Sequence, residues 1–446
     1  MKLIPAKISV LLRRLKYTCE NLSVHGPSYL ARKDIHIGYR IFYFIVYVHV
    51  WVAAVASIYK YISTYQEDTI RFTTQTDYLD WNTTVPSVTV CEIANSDKIL
   101  EELQKIDKQD AEKILPFARD VAFYAGECQS CSLLDNATIH NFEFANYSAA
   151  LRSECKDLFI RCTWDGKPMN CCQNFEPIQT EYGRCYSINN NQIGGIRTPY
   201  YIASPDMRKL GTLELELAQN FEAFLHSPED VPYWNMELDR RVSVLLNTEG
   251  SILFSIVDIQ NDPEVSLIPP EVRQCRFPDE SPDNYEGYRH YSYSVCIIYC
   301  RSEAELELCN CTSHFAPVQY KDRYCDARGL QCLTKHYATL KKLKVSGVNE
   351  TGLNCNCLSS CVEPEYNIVA KKVVDNGSVL KAGIVKFILC NRPFERVTRE
   401  VARTGLDMVV AMGNCIGLGF GGSILSIVEV FYYLCFKQWS YTNAKK

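Results

Sequence analysis

Leu406 to Phe436 reads LDMVVAMGNCIGLGFGGSILSIVEVFYYLCF. From Met408 to Val428 the run carries no charge, and a helix of that length crosses a hydrocarbon core of about 30 Å. A simple anchor would be rich in Leu and Ile. Here Gly413, Gly417, Gly419, Gly421 and Gly422 crowd the middle, with Ser423 and Ser426 behind them. Small residues let backbones approach closely, and a helix broken among them leaves polar groups that need a partner or a wet cavity. Asp407 and Glu429 bracket the segment, and intramembrane acids face an ion path or a bundle interior. We read the stretch as a pore-lining helix. GLGFGG also spells G-x-G-x-x-G, but the dinucleotide fingerprint needs a strand before it and a helix after it in a soluble unit. Taken alone, Gly413, Gly417 and Gly421 would suit helix dimerisation, and Glu429 a snorkelling acid.

The chain has 446 residues, a net charge of −5 and a pI near 6.0. That balance argues against a nucleic-acid partner, which would ask for a basic face. Twenty-two cysteines, clustered between Cys91 and Cys361, point to disulfides in an oxidising compartment. Asn82, Asn136, Asn146, Asn310, Asn349 and Asn376 each head an N-x-S/T sequon, which fits an exported surface. Asn310 precedes Cys311 and is left out of the expected glycosylation sites.

Residues 1–40 are basic and hold no apolar run long enough for a cleavable signal peptide. The positive-inside rule assigns them to the cytoplasm. Within them, His25 and Gly26 read alone as a turn. Ile41 to Tyr59 is uncharged, aromatic and β-branched, which predicts a lipid-facing first span over 41–63. In that span, His49 is expected to hydrogen-bond within the bundle. Residues 64–402 would then be extracellular, 403–436 a second span broken near 421–423, and 437–446 a cytoplasmic tail.

Inside the ectodomain, strands are predicted at Thr69–Thr76, Pro86–Cys91, Leu213–Leu217, Phe221–Leu225 and Arg241–Val257. Asn95–Gly126 reads as mostly helix. Cys275–Cys361 reads as loop-rich, with a helical piece near Arg301–Leu308. Tyr366–Val374 and Leu380–Leu389 flank Asn376-Gly377 and predict a hairpin. Phe394–Gly405 reads as helical or irregular. Adjacent Glu229 and Asp230 read as a solvated turn. The fold class is α+β: two membrane helices flanking a disulfide-rich, mainly antiparallel-β extracellular domain.

Zinc is the rival use of Cys-x-Cys pairs such as Cys309/Cys311 and Cys355/Cys357, but no His pairs accompany them. Sequence alone does not settle the pairing. The odd number of extracellular cysteines leaves one over, and Cys390, in an apolar run, is the expected buried thiol. Cys19, Cys415 and Cys435 lie in cytosol or membrane and should be reduced.

Two spans and a cysteine-rich ectodomain resemble the degenerin/epithelial sodium channel family, most closely its arthropod pickpocket-like branch. His25-Gly26 is similar to that family's N-terminal His-Gly pair. Pro86-Ser-Val-Thr-Val-Cys91 is similar to its Pro-x-Val-Thr-x-Cys. His226-Ser-Pro stands where relatives carry a His-Ser strand end. Gly421-Gly422-Ser423 is similar to the Gly-x-Ser filter, with Leu425-Ser-x-x-Glu429 following.

The resemblance implies disulfides Cys91–Cys185, Cys162 with Cys171 or Cys172, Cys275–Cys361, Cys296–Cys357, Cys300–Cys355, Cys309–Cys332 and Cys311–Cys325. The last five would brace a thumb region. Cys128, Cys131, Cys155 and the leftover of Cys171/Cys172 suggest two further bridges in a finger region. The resemblance also implies gating roles for His25, Gly26 and Val410, where relatives carry a smaller residue. Relatives gated by protons have a Trp just before the cysteine matching Cys275, and here the run is Pro-Glu-Val-Arg-Gln.

Implied in function is an amiloride-sensitive, sodium-selective channel subunit in a homo- or heterotrimer of related subunits. Na⁺ would be its permeant ion, with no cofactor and no metal site. Rings of Asp407 and Glu429 would draw cations. The alternatives are a non-conducting accessory or adhesion subunit, or an ATP-gated channel, for which Lys341, Lys342 and Lys344 form only a small basic run. No constellation for an enzyme is apparent.

Overall fold

A computed structural model describes Cys19 and residues 26–31, 35–67, 69–76, 83–106, 111–132, 143–194, 211–344, 351–375, 382–391 and 393–432. Its main helices are α1 (Ile37–Glu67), α2 (Ser96–Ile106), α3 (Ala111–Ala122), α4 (Phe144–Leu151), α5 (Tyr293–Cys309), α6 (Ala327–Lys341), α7 (Gly405–Phe420) and α8 (Ile424–Phe431). The strands are β1 (Ile70–Gln75), β2 (Ser87–Ala94), β3 (Phe159–Trp164), β4 (Lys167–Met169), β5 (Glu176–Thr180), β6 (Gly183–Ile188), β7 (Thr212–Leu217) and β8 (Asn220–His226). They continue with β9 (Arg241–Val244), β10 (Thr248–Asn261), β11 (Cys275–Arg276), β12 (Ser359–Ser360), β13 (Glu365–Asp375), β14 (Gly383–Leu389) and β15 (Arg396–Val401). The chain divides into a helical unit, Met1–Arg71 with Glu400–Lys446, and a larger unit, Phe72–Arg399.

The larger unit is built on two sheets. One runs β1-β15-β10-β14-β7-β3-β4, with β13 also on β10; the other runs β5-β6-β2-β8-β9. Period-two alternation decides their facing sides. Leu213, Leu215 and Leu217 of β7 and Val385, Phe387 and Leu389 of β14 are buried. They share one cluster with Val88 and Val90 of β2 and with Phe221, Ala223 and Leu225 of β8. Glu214 and Glu216, between the β7 leucines, turn to Arg161 at 3.2 and 3.1 Å. The other face of the smaller sheet is covered by α5: Phe224 and the Cys91–Cys185 bridge share a cluster with Val295, Ile298 and Tyr299.

The expected hairpin does not form. Strand β10 lies between its two arms, antiparallel to β13 and parallel to β14. The Asn376-Gly377 turn itself lies outside the described residues. A local turn signal cannot exclude a third strand, and the 14-residue β10 offers a longer apolar face than either arm. Arg396–Val401, read as helical or irregular, is strand β15, parallel to β10. The stretch read as loop-rich holds two long helices. For α6, Asp326 accepts the Gly329 N–H at 2.8 Å as N-cap, and Leu330, Leu333 and Leu340 fall on one buried face.

Nine disulfides join described residues: Cys91–Cys185, Cys128–Cys131, Cys155–Cys172, Cys162–Cys171, Cys275–Cys361, Cys296–Cys357, Cys300–Cys355, Cys309–Cys332 and Cys311–Cys325. The open choice at Cys162 falls to Cys171. Five of the bridges belong to α5, α6 and the segment between Cys275 and Cys361. Cys309, Cys332 and His336 come close enough to suggest a metal site, but the two sulfurs are bonded to each other. Cys390 is unpaired and only half-buried.

In the helical unit, α1 runs 31 residues. Among the described residues it is the one helix long and apolar enough to cross a membrane. His49 bonds within its own helix. Its Nδ1 lies 2.8 Å from the Ile45 carbonyl one turn back in the same helix.

Candidate functional site

The glycine-rich stretch from Gly405 to Phe431 folds as two helices with a break between them. Helix α7 ends on Gly421, whose φ of +63° is left-handed. The Gly421 N–H donates to the Gly417 carbonyl at 2.8 Å. This leaves the carbonyls of Leu418, Gly419 and Phe420 beyond the helix's own N–H ladder, at the negative end of its dipole. Gly422 follows, and a Cβ there would lie 2.9 Å from Ile416 Cγ2. Ser423 then starts α8: its Oγ accepts the Ser426 N–H at 3.3 Å, and its own N–H donates to Ser426 Oγ at 3.2 Å. That reciprocal cap draws the Ser423 hydroxyl back onto the helix. Gly419 packs against α1, where a Cβ would sit 3.2 Å from Val50 Cγ1.

Asp407 sits in the first turn of α7. Its Oδ2 accepts from the Thr404 N–H at 2.9 Å and the Thr404 hydroxyl at 3.0 Å, while Thr404 Oγ1 accepts the Asp407 N–H at 3.2 Å. The acid is therefore a fixed negative charge at a helix N-terminus as well as a pore candidate. Val410 is exposed on α7 and Glu429 half-buried on α8. Near the helix ends Arg71 pairs with Glu400 at 2.9 Å, and Arg403 lies over the Tyr61 ring at 5.3 Å.

Gly26 has φ +109°, and a Cβ there would fall 2.5 Å from Tyr47 Cδ2 of α1. The turn can press against the helix only because that residue is glycine. Next to it Tyr29 stacks on Tyr43 at 4.8 Å. His25 and the sequons at Asn82, Asn136, Asn349 and Asn376 lie outside the described residues. Asn146 is exposed on α4.

The larger unit buries a titratable network that sequence reading missed. Asp230 is not in a solvated turn: Ser227 Oγ donates to Oδ2 at 3.0 Å and Ser294 Oγ to Oδ1 at 2.7 Å. Burial raises the carboxyl of neighbouring Glu229. Burial, and then the charge of Asp230, push Glu363 up to about 8, against the pull of Arg240. Glu305, fully enclosed by α5 and the Ser313 loop, is pushed up to about 8 by burial. Arg301 reaches the Glu181 carboxylate inside the core. His226 lies 2.7 Å from Thr89 Oγ1 and 2.8 Å from the Ser227 carbonyl, and burial lowers its pKa. Only the His-Ser pair and the acid doublet were visible signals. Glu305 and Glu363 look like surface residues until the disulfide framework folds over them.

An apolar helix, a second helix broken at glycines and a disulfide-braced β domain are the parts of a membrane channel subunit. Residues 18–433 match the family model described as amiloride-sensitive sodium channel, and the chain belongs to that family. It is similar to the sodium channel protein Nach of Drosophila virilis, 26% identical over 69% of this chain and 82% of that protein. Nach of Drosophila melanogaster is 23% identical over 93% and 85%, and pickpocket protein 28 of the same fly 21% over 95% and 78%. The resemblance to the pickpocket-like branch therefore holds. The family consists of ion channels, not enzymes, and the chain is a plasma-membrane cation channel protein.

Proposed function

We propose that this chain is a sodium-selective, amiloride-sensitive subunit of a homo- or heterotrimer, with two membrane crossings and both termini in the cytoplasm. The break at Gly421–Ser423 carries the reading. Three such breaks around an axis would present carbonyls released from helical bonding, whose oxygens replace part of an ion's water. Rings of Asp407 and Glu429 would raise the local cation concentration. Movement of the disulfide-braced ectodomain would reach the pore through the chain segments that join the units, and bulk at Val410 would favour the open state.

The test is voltage clamp of cells expressing the chain, alone and with related subunits. Replacing external sodium by a large organic cation should shift the reversal potential negative, and amiloride should block. Glu429→Lys should cut cation current at equal surface expression. Unchanged current in that variant would remove the ring, and no current in any combination would favour a non-conducting accessory role.

A further inference from the structure

In the larger unit a cavity of about 390 Å³ opens among α4, the β5–β6 turn and the loop that follows α5. Its lining includes Arg152, Arg184, Lys321, His314, Phe315 and Tyr288, and none of the described lining residues is acidic. Arg152 is buried. Its Nε donates to the Ala122 carbonyl at 2.8 Å and its Nη1 to those of Glu92 and Arg184 at 3.4 and 3.3 Å. Its Nη2 reaches the Tyr182 carbonyl. Every one of these partners is a neutral carbonyl.

Burial pushes the Arg152 guanidinium down to about 10; Glu92 draws it up and Arg184 opposes it. It therefore stays charged at neutral pH, beside a second cation. Glu92, the acid within range, is itself taken up by Asn95 and Ser153 at 2.8 and 2.7 Å. Arg152 is buried and Arg184 half-buried, and like charges held side by side under such burial are costly. Arg184 Nε and His314 Nδ1, both buried, have no hydrogen-bond partner among the described residues.

The fold holds this arrangement closely. Gly183, with φ +87°, lets the backbone pass where a Cβ would fall 2.9 Å from both Arg152 Cζ and Phe315 Cζ. Arg152 lies over the Phe123 and Phe315 rings at 4.8 and 5.2 Å. The remaining walls include Ala316, Pro317, Val318 and Tyr324.

We propose that this cavity binds a small organic anion with a planar aromatic body. Its carboxylate or equivalent group would sit between Arg184 and Lys321, where charge-assisted hydrogen bonds are strongest. The ring would lie along Phe315 and Tyr288, and the volume falls in the range of small-molecule sites, about 300–1,000 Å³. A bare inorganic ion would leave the apolar walls wet, and a cation would meet like charge.

The test uses the full chain purified in detergent, with 2-naphthoate and its neutral analogue 2-naphthamide as probes. Equilibrium dialysis and thermal melting are read together, so the result does not depend on whether the chain conducts sodium. Naphthoate should be retained and raise the melting temperature saturably, while the amide does neither. Arg184→Gln and Lys321→Gln should each weaken naphthoate binding about three- to tenfold without lowering the unliganded melting temperature. Ala149→Trp, which plugs the mouth and keeps every cation, should abolish binding. Equal binding of acid and amide, binding that survives Ala149→Trp, or no retention at about 1 mM probe would each overturn the proposal. The last result would leave the site to a carboxylate side chain of a neighbouring subunit.

Discussion

At Gly26 two constraints coincide, a positive φ and a ring edge where a Cβ would go. The pair's weight in the sequence came from resemblance, because a lone His-Gly says only that a turn is possible. Its physical reason is Tyr47, 21 positions away and invisible to local pattern. Gly26→Ala should cost about 1–2 kcal/mol in backbone conformation alone and push the turn off α1. Whole-cell current should fall at unchanged surface labelling. Tyr47→Ala in the same chain should restore part of it, because the overlap goes while the backbone cost stays. Glu305 makes a different residue-scale prediction. Its folded pKa of about 8 lies above the ordinary 4.5, so the folded chain holds a proton that the unfolded chain releases. This group's contribution to stability is greatest below about 4.5 and is lost as pH rises to about 8. Glu305→Gln keeps an acceptor for the Ser313 N–H and should flatten that slope, measured as melting temperature at pH 5, 7 and 8.5. His314 acts in the opposite sense. Burial holds it down to about 4, so its contribution is lost as pH falls from about 6.5 toward 4.

Element by element, what could be read was what is local. Alternation in β7 and the aromatic run of α1 gave their elements directly. The hairpin failed because partner choice is not local: β10 takes both β13 and β14. Helix α6 is hidden in the sequence because Gly329 and Cys332 disguise its Leu330, Leu333 and Leu340 spacing. The break after α7 is the opposite case, since everything it needs lies within six residues. Gly421 supplies the left-handed cap and Ser423 the next N-cap. Gly421→Ala should strain the cap by about 1 kcal/mol. Ser423→Ala should lose the start of α8 by a similar amount, whereas Ser423→Thr keeps an acceptor. If the break shapes the ion path, Ser423→Ala should alter the sodium-to-potassium permeability ratio more than Ser423→Thr does. Bi-ionic reversal potentials measure this, and equal ratios in the two variants would detach the cap from selectivity.

For the whole molecule, the sequence fixes the number of cysteines but not the graph that joins them. The graph came from resemblance, with one ambiguity that is resolved where Cys162 of β3 meets Cys171 and Cys155 meets Cys172. Its energetic consequence can be ranked without further structure. Cys91–Cys185 closes 94 residues and Cys311–Cys325 closes 14. In the chain-entropy account the longer loop restrains the unfolded chain more, by about 1.5–2 kcal/mol. Cys91 and Cys185 are fully buried between the smaller sheet and α5, so opening that bridge also loosens a core. The pair Cys91→Ala/Cys185→Ala should therefore lower the ectodomain melting temperature more than Cys311→Ala/Cys325→Ala. The second pair acts on a different property. It ties the α5–α6 connection to the start of α6, against Gly329, where a Cβ would meet Cys311 Sγ at 2.4 Å. Its loss should lower the melting temperature by less, about 3 kcal/mol of stability in the same account, and speed amide exchange in α6 while sparing β7 and β14. A larger melting loss from the short bridge than from the long one would show that native packing, not restraint of the unfolded chain, sets the stability of this framework.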